Sequence, residues 1–298
     1  MDSPTLTQLR YFLAVAGELH FGRAAERMGI AQPPLTQQIQ KLERLLGCQL
    51  LVRGRKSRLT AAGVALAADA RRLVDQLEEA FERARRTARG EAGELRVGVP
   101  PSVMLTGLPD AVRRYRKQYP AVGFTLREMA TSRIEEALRS RAIDVGFLRE
   151  ARPEPPLRSV LFLAEKLVAV LPAKHKLAAR STLGLRDLRS EPFIFFPPQL
   201  GPAFHGMLVG ACVSAGFSPR VVQEATQWQT VVSFVEAGMG VSIAPESVSR
   251  LRRPGVVYRP LASAKTVVYA SWCDDGPAPA AHRFLELAGC RVPGRETS

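Results

Sequence analysis

The sequence predicts a multi-domain α/β protein: an N-terminal winged helix-turn-helix of mainly α structure, a long linker helix, and a C-terminal α/β domain of two lobes. Three observations predict it. Residues 21–60, FGRAAERMGIAQPPLTQQIQKLERLLGCQLLVRGRKSRLT, order a short helix, a turn, a helix with a polar outer face and a basic β-ribbon. Residues 61–89 sustain a heptad-like apolar seam, and from Leu95 onward strand-like and helix-like stretches alternate. The expected divisions are 1–60 for the winged helix-turn-helix, 61–89 for the linker helix and 90–94 for a hinge. One lobe spans 95–163 with 266–298, and the other 164–265.

The first helix carries Leu6, Leu9, Leu13 and Ala16 at spacings of three and four, with Gly17 near its end. Phe21, Ala24, Ala25 and Met28 form the inner face of the second, which stops at Gly29. The third turns Leu35, Ile39, Leu42 and Leu46 inward. At 100° per residue, Pro33, Gln37, Gln40 and Arg44 then point outward, with Thr36 on the flank. Glutamine offers a donor and an acceptor that fit adenine edges, and arginine fits guanine or phosphate. Pro33 and Pro34 suit a first helical turn, where a missing N–H costs nothing. A hairpin follows, from Leu50–Arg53 through Gly54–Ser57 to Arg58–Thr60. Its Arg53, Arg55, Lys56 and Arg58 would serve as a phosphate- or minor-groove-contacting wing.

Thr60 caps the linker helix, whose seam is Leu66, Ala70, Leu73, Leu77, Ala80 and Ala84. A dimer coil is the preferred reading, and a helix packed on its own domain the alternative. The segment Arg89–Glu94, with two glycines and several charges, reads as the hinge.

Composition supports an anionic partner without proving one. The net charge is +14, of which residues 1–60 hold +5 (nine Lys/Arg less four Asp/Glu). The four cysteines lack paired spacing and read as buried, reduced thiols, and the four histidines show no ligand spacing, so no metal or other cofactor is expected. No apolar run approaches bilayer length, and a soluble cytoplasmic protein without membrane contact is expected.

Residues LTQLRYFLAVAGELHFGRAAERMGIAQPPLTQQIQKLERLLGCQLLVR, with LTAAG beyond, resemble the DNA-binding half of a LysR-type transcriptional regulator, and the layout agrees along the whole chain. Ala31 departs from the Ser or Thr that many members place there as a helix cap. The AQPPL variant resembles the subgroup governing aromatic-compound catabolism, the benzoate, catechol and chlorocatechol regulators. The resemblance implies major-groove contacts from Gln32, Pro33, Thr36 and Gln37. It also implies a periplasmic-binding-protein-like effector domain with a cleft, assembly as a dimer of dimers, and RNA polymerase as a further partner.

Strand-like ELRVGVP, GFTLREM, IDVGFL, KLVAVLP, PFIFFP, RVVQEA and VSIAP suggest two parallel-sheet lobes, with TVVYASWC returning to the first. Ligands in such sheets sit beyond the carboxyl ends of strands, near helix N-termini. That rule selects Ser102, Thr131, Phe196, Pro197 and Gln227, with Arg149 placed either to neutralise an acidic effector or to lie in solvent. Pro101 stands where the subgroup commonly has Gly. Ser132–Glu135 reads as a capping box.

The reading is a regulator that binds operator DNA and responds to a small, anionic effector, a carboxylate from aromatic breakdown. An enzyme with an appended DNA-binding domain is a rival. The chain has no GxGxxG, GxxxxGK[ST], GxSxG or metal pair, and its candidate acids Asp144 and Glu128 have no evident partner. An architectural DNA protein without an effector is a second rival, for which two lobes of this size are superfluous.

Overall fold

The computed structural model describes residues 3–54, 57–273 and 276–292. The chain divides into two compact units, residues 1–85 and 86–298.

In the first unit, helix α1 (Leu6–Glu18) begins at a capping box, in which Thr5 accepts from the Gln8 amide and Gln8 accepts from the Thr5 amide. Its fully buried residues are Gln8, Phe12 and Val15, whereas Leu6, Leu9, Leu13 and Ala16 lie half-buried. The expected stripe is thus the flank of the buried one, because both sets satisfy helical spacing. The chain leaves α1 through Leu19 in the left-handed region, not at Gly17. His20 then caps α2 (Phe21–Arg27), its Nδ1 accepting from the Gly22 and Arg23 amides. Ala24 and Ala25 are buried between helices, and Gly29 takes a positive φ past the end of α2.

Helix α3 (Gln32–Leu46) starts at Ala31 without a side-chain cap and with proline in its first turn. Leu35, Ile39 and Leu42 are fully buried, but Leu46 is 41% exposed, because the helix outruns the small core beneath it. Strands β1 (Leu51–Val52) and β2 (Arg58–Leu59) pair antiparallel and form the wing. Helix α4 (Ala61–Ala88) follows, with the Thr60 hydroxyl accepting from the Gly63 amide and donating to the Gln49 carbonyl. Ala70 and Val74 are buried, while Val64, Leu73 and Phe81 are exposed. Of the seam residues, Ala70 packs on its own unit and Leu73, 56% exposed, does not.

The second unit is built on a six-stranded mixed sheet in the order β4 (Val122–Glu128), β3 (Gly93–Val99), β5 (Val145–Arg149), β10 (Val256–Cys273), β6 (Leu157–Pro172) and β9 (Ser242–Pro245). Strands β3 (Gly93–Val99), β4 (Val122–Glu128) and β5 (Val145–Arg149) are parallel and lie with helices α5 (Leu108–Gln118) and α6 (Thr131–Arg139). The expectation of purely parallel lobes fails at β6 (Leu157–Pro172) and β10 (Val256–Cys273). These long strands pair antiparallel with each other over nearly their whole length, and β10 also pairs antiparallel with β5. Both strands continue past the stretches the apolar pattern marks, running from one lobe into the other. A register shift between Pro260 and Lys265 falls where they cross.

Strands β7 (Pro192–Phe195) and β8 (Arg220–Glu224) pair parallel, and β9 (Ser242–Pro245) pairs with β6. Helices α7 (Pro202–Ser214), α8 (Trp228–Glu236) and α9 (Pro279–Leu287) complete the unit. One core gathers Val97, Tyr115, Phe147 and Phe284, another Leu171, Phe193, Phe195 and Leu208. Burial of such side chains is the main stabilising contribution, about 1.5–3 kcal/mol each.

The segment expected as a hinge is tied down. Gly90 has φ of +72° and lies so close to the Pro279 backbone that a Cβ would stand 2.5 Å from its carbonyl carbon. Arg89 pairs with Glu91 at 3.0 Å, and Arg283 donates to the Arg89 carbonyl. Cys212 and Cys290 are buried, with thiols pushed up to about 11 and about 12 by burial, but Cys48 is exposed, against expectation. Among the described residues no helix is long and apolar enough to cross a membrane.

Candidate DNA interface and effector cavity

On α3, Pro33, Gln37, Gln40 and Arg44 are exposed in a row along one side, and Gln32 and Pro34 are exposed to either side of it in the first turn. Thr36 is half-buried and its hydroxyl donates to the Gln32 carbonyl, so it braces the first turn. The rotation of α3 is set on its inner side, where buried Gln8 of α1 donates from Nε2 to Gln38 Oε1 at 3.1 Å. A polar pair between two helices admits one register, whereas an apolar contact tolerates several. Gln8 was not legible as a site residue, since a lone glutamine at a helix start usually faces water.

The wing is held to α3 by Glu43. Its Oε1 accepts from the Leu50 and Leu51 amides at 2.9 and 3.2 Å, and its Oε2 accepts from Arg53 Nη2 at 2.9 Å. Arg53 is therefore a tether as well as a surface cation, with its guanidinium 6.0 Å from the Phe21 ring. Arg55 and Lys56 lie outside the described residues. Behind the wing, Gly63 brings α4 against β1, where a Cβ would stand 2.1 Å from the Leu50 carbonyl oxygen.

In the second unit a cavity of about 200 Å³ opens between the lobes. Ser102, Thr131, Arg149, Phe196 and Gln227 all stand on its wall, and Pro197 does not; it precedes the 3-10 turn Pro198–Leu200. The sheet brings the first three together: β3, β4 and β5 are parallel neighbours whose carboxyl ends share one edge. Phe204 and Trp228 add aromatic surface, Phe196 stacking on Phe204 at 5.3 Å between centroids.

Arg149 faces neither solvent nor an unopposed space. It is 2% exposed, and its Nη2 lies 2.8 Å from Glu165 Oε1 as an ion pair. Nε donates to Ser102 Oγ at 3.2 Å, Nη1 to Thr266 Oγ1 at 3.3 Å, and the Phe204 ring lies 5.5 Å from the guanidinium carbon. Burial lowers the guanidinium pKa, and the Glu165 charge opposes that fall. Glu165 Oε2 accepts in turn from the Ser247 amide. Because Ser102 Oγ accepts from Arg149, its own proton is left to donate into the cavity.

Thr131 is 6% exposed and occupies the first turn of α6; among the described residues nothing hydrogen-bonds its hydroxyl. Ser132 does not cap that helix as expected. Ala130 is the capping residue, and Ser132 Oγ donates across the cleft to the Gln199 carbonyl at 3.2 Å. The 3-10 turn Pro101–Leu105 starts at Pro101, where proline needs no amide partner.

Glu165, Thr266 and Phe204 escaped the sequence reading. Their one signal was a glutamate inside an apolar strand, AEKLVAVLP, which implies a buried counter-charge. Asp144 is not a lone acid: Arg96 grips it through Nε at 3.2 Å, Nη2 at 2.8 Å and its own amide at 2.8 Å, and this hydrogen bonding raises the Arg96 pKa.

Two family profiles match this chain: "Bacterial regulatory helix-turn-helix protein, lysR family" over residues 6–64, and "LysR substrate binding domain" over residues 88–292. The transcriptional regulator AlsR of Bacillus subtilis is 37% identical over 291 residues, covering 96% of each chain. The regulator ClcR of Pseudomonas putida is 37% identical over 290 residues, covering 95% of this chain and 98% of the other. The structure of full-length CbnR with its target DNA superposes with a TM-score of 0.81 at 30% identity, covering 96% and 98% of the two chains. Full-length BenM superposes at 0.63 with 29% identity, covering 96% and 95%. These relatives are regulators rather than enzymes, and this chain is likewise not an enzyme. With a winged helix-turn-helix at one end and a two-lobed ligand cavity at the other, the chain belongs to the LysR family of ligand-responsive, DNA-binding transcriptional regulators.

Proposed function

We propose that the protein reads operator DNA through the outer row of α3 and responds to a small carboxylate of the kind released in aromatic-compound breakdown. Gln32, Gln37 and Gln40 read base edges, Pro33 and Pro34 let the blunt helix start approach them, and Thr36 braces that turn. Arg53, Arg55 and Lys56 attach the wing to the backbone. Two copies joined along α4, where Val64, Leu73 and Phe81 lack cover in one chain, present paired readers to adjacent half-sites. Two such dimers form the working assembly, which contacts RNA polymerase in the cytoplasm.

The carboxylate reading rests on one observation above all: the hydroxyl of the nearly buried Thr131, which has no hydrogen-bond partner among the described residues, stands at an α6 N-terminus on the cavity wall. Ser102 donates beside it, Gln227 and Phe196 close the far side, and Arg149 supports Ser102 from behind. Pro197 contributes by shaping the loop rather than by contact. A ligand changes DNA binding only through its differential affinity for two arrangements of the assembly.

The test is a melting-temperature screen of the full chain with aromatic acids and diacids, followed by operator binding with and without the stabilising compound. Thr131→Val keeps the shape and removes the hydroxyl. The expected result is a lost effector response with operator affinity intact; an unchanged response removes Thr131 from the site.

A further inference from the structure

Glu128, the last residue of β4, is an exposed carboxylate on the cavity wall. Among the described residues no cation pairs with it, and none donates it a hydrogen bond. The one arginine in the wall, Arg149, is already committed to Glu165 at 2.8 Å. The full charges lining the cavity are therefore Arg149, which Glu165 offsets from behind the wall, and Glu128, which nothing offsets among the described residues.

Positive potential comes instead from the N-termini of α6 and α8, each equivalent to about half a charge. The cavity-lining residues Thr131 and Trp228 open these nine-residue helices, and neither helix has a side-chain cap. Together they match one carboxylate, received by the Thr131 hydroxyl, unpartnered among the described residues, and by the Ser102 proton. A second carboxylate would find no cation and would meet Glu128 as a like charge. Closing the cleft would sharpen the effect, because an ionised acid withdrawn from water requires a donor.

We propose that Glu128 selects the effector: a monocarboxylate bearing a hydroxyl or amino donor on the side away from its carboxylate, with dicarboxylates turned away. This rests on the carboxylate reading above and names the class within it.

The experiment is calorimetric titration of the full chain, wild type and Glu128→Gln, with benzoate, 3-hydroxybenzoate, 4-hydroxybenzoate and cis,cis-muconate. One hydroxybenzoate should bind wild type at least about tenfold tighter than muconate, roughly what one unrelieved like-charge contact imposes. Glu128→Gln should reduce that ratio by about the same factor, chiefly by admitting muconate. Unliganded melting temperatures of the two proteins should coincide, since Glu128 has no hydrogen bond or ion pair among the described residues. A ratio unaltered by Glu128→Gln, with the acids still binding and still lost in Thr131→Val, overturns the role of Glu128 and leaves the carboxylate reading standing. Failure of all four acids to bind wild type overturns both.

Discussion

Arg149 on β5 and Glu165 on β6 meet at 2.8 Å across an intervening strand, β10, which places Val268 opposite Arg149 and Thr266 opposite Glu165. Val268 and Thr266 are two residues apart and so share a face, and the pair reaches diagonally over that face. Charge, hydroxyl and aromatic ring then enclose one guanidinium at the crossing of the lobes.

Removing one member of such a pair leaves the other buried and unopposed. Glu165→Leu should therefore destabilise the second unit by about 3–5 kcal/mol, while Arg149→Met with Glu165→Leu should recover most of the loss. Urea unfolding of the unliganded protein measures both. A single variant as stable as wild type would mean that water already relieves Arg149.

Gln37 stands in the exposed row of α3 with no partner within the described residues. Gln37→Ala should relax sequence preference at one or two base pairs and weaken operator binding by about 1–3 kcal/mol per half-site. Competition between operator and scrambled DNA measures this, and an unchanged selectivity ratio would take Gln37 out of the readout.

Glu43 accepts from the Leu50 and Leu51 amides at the start of the wing and from one arginine. Glu43→Ala should leave those donors searching for water and cost the first unit about 1–3 kcal/mol. It should also weaken binding to all DNA sequences alike, because the wing loses its seat. Hydrogen exchange at the Leu50 and Leu51 amides reports the first effect directly; unaltered protection would show that the wing holds without Glu43.

Gly63 sets two effects against each other. Glycine to alanine inside a helix ordinarily gains about 0.8–1.0 kcal/mol. Here the new methyl would stand 2.1 Å from the Leu50 carbonyl oxygen, a backbone atom that cannot swing aside. Overpacking of about 1–3 kcal/mol should win, so Gly63→Ala should lower the melting temperature of the first unit. A raised melting temperature would mean that α4 and β1 separate freely.

Fold class was legible because strong periodic patterns carry it. The alternation of Leu35, Ile39 and Leu42 with Gln37, Gln40 and Arg44 oriented α3 correctly. At α1 the same rule chose the flank over the core, because Gln8, Phe12 and Val15 share the helical spacing and a glutamine hides the pattern. Strands β6 and β10 were only half visible: where they cross between lobes their residues turn polar, as at Glu165–Lys166 and Ala262–Lys265. Ser132 failed as a cap because helix starts are set by backbone geometry, and Ala130 already holds the capping place. The pairing of Glu165 with Arg149 was invisible for a different reason, since the two lie two strands apart and strand order is a tertiary fact.

The two long strands have a mechanical consequence. Two parallel straps joining a pair of bodies bend together readily but resist shear and torsion, so they leave the bodies one easy degree of freedom. With the bulge at Pro260–Lys265 as the pliant point, a molecule lodged between the bodies works against a door on a double hinge. The path of its swing is then settled by the straps, and the visitor decides only how far the door stands open.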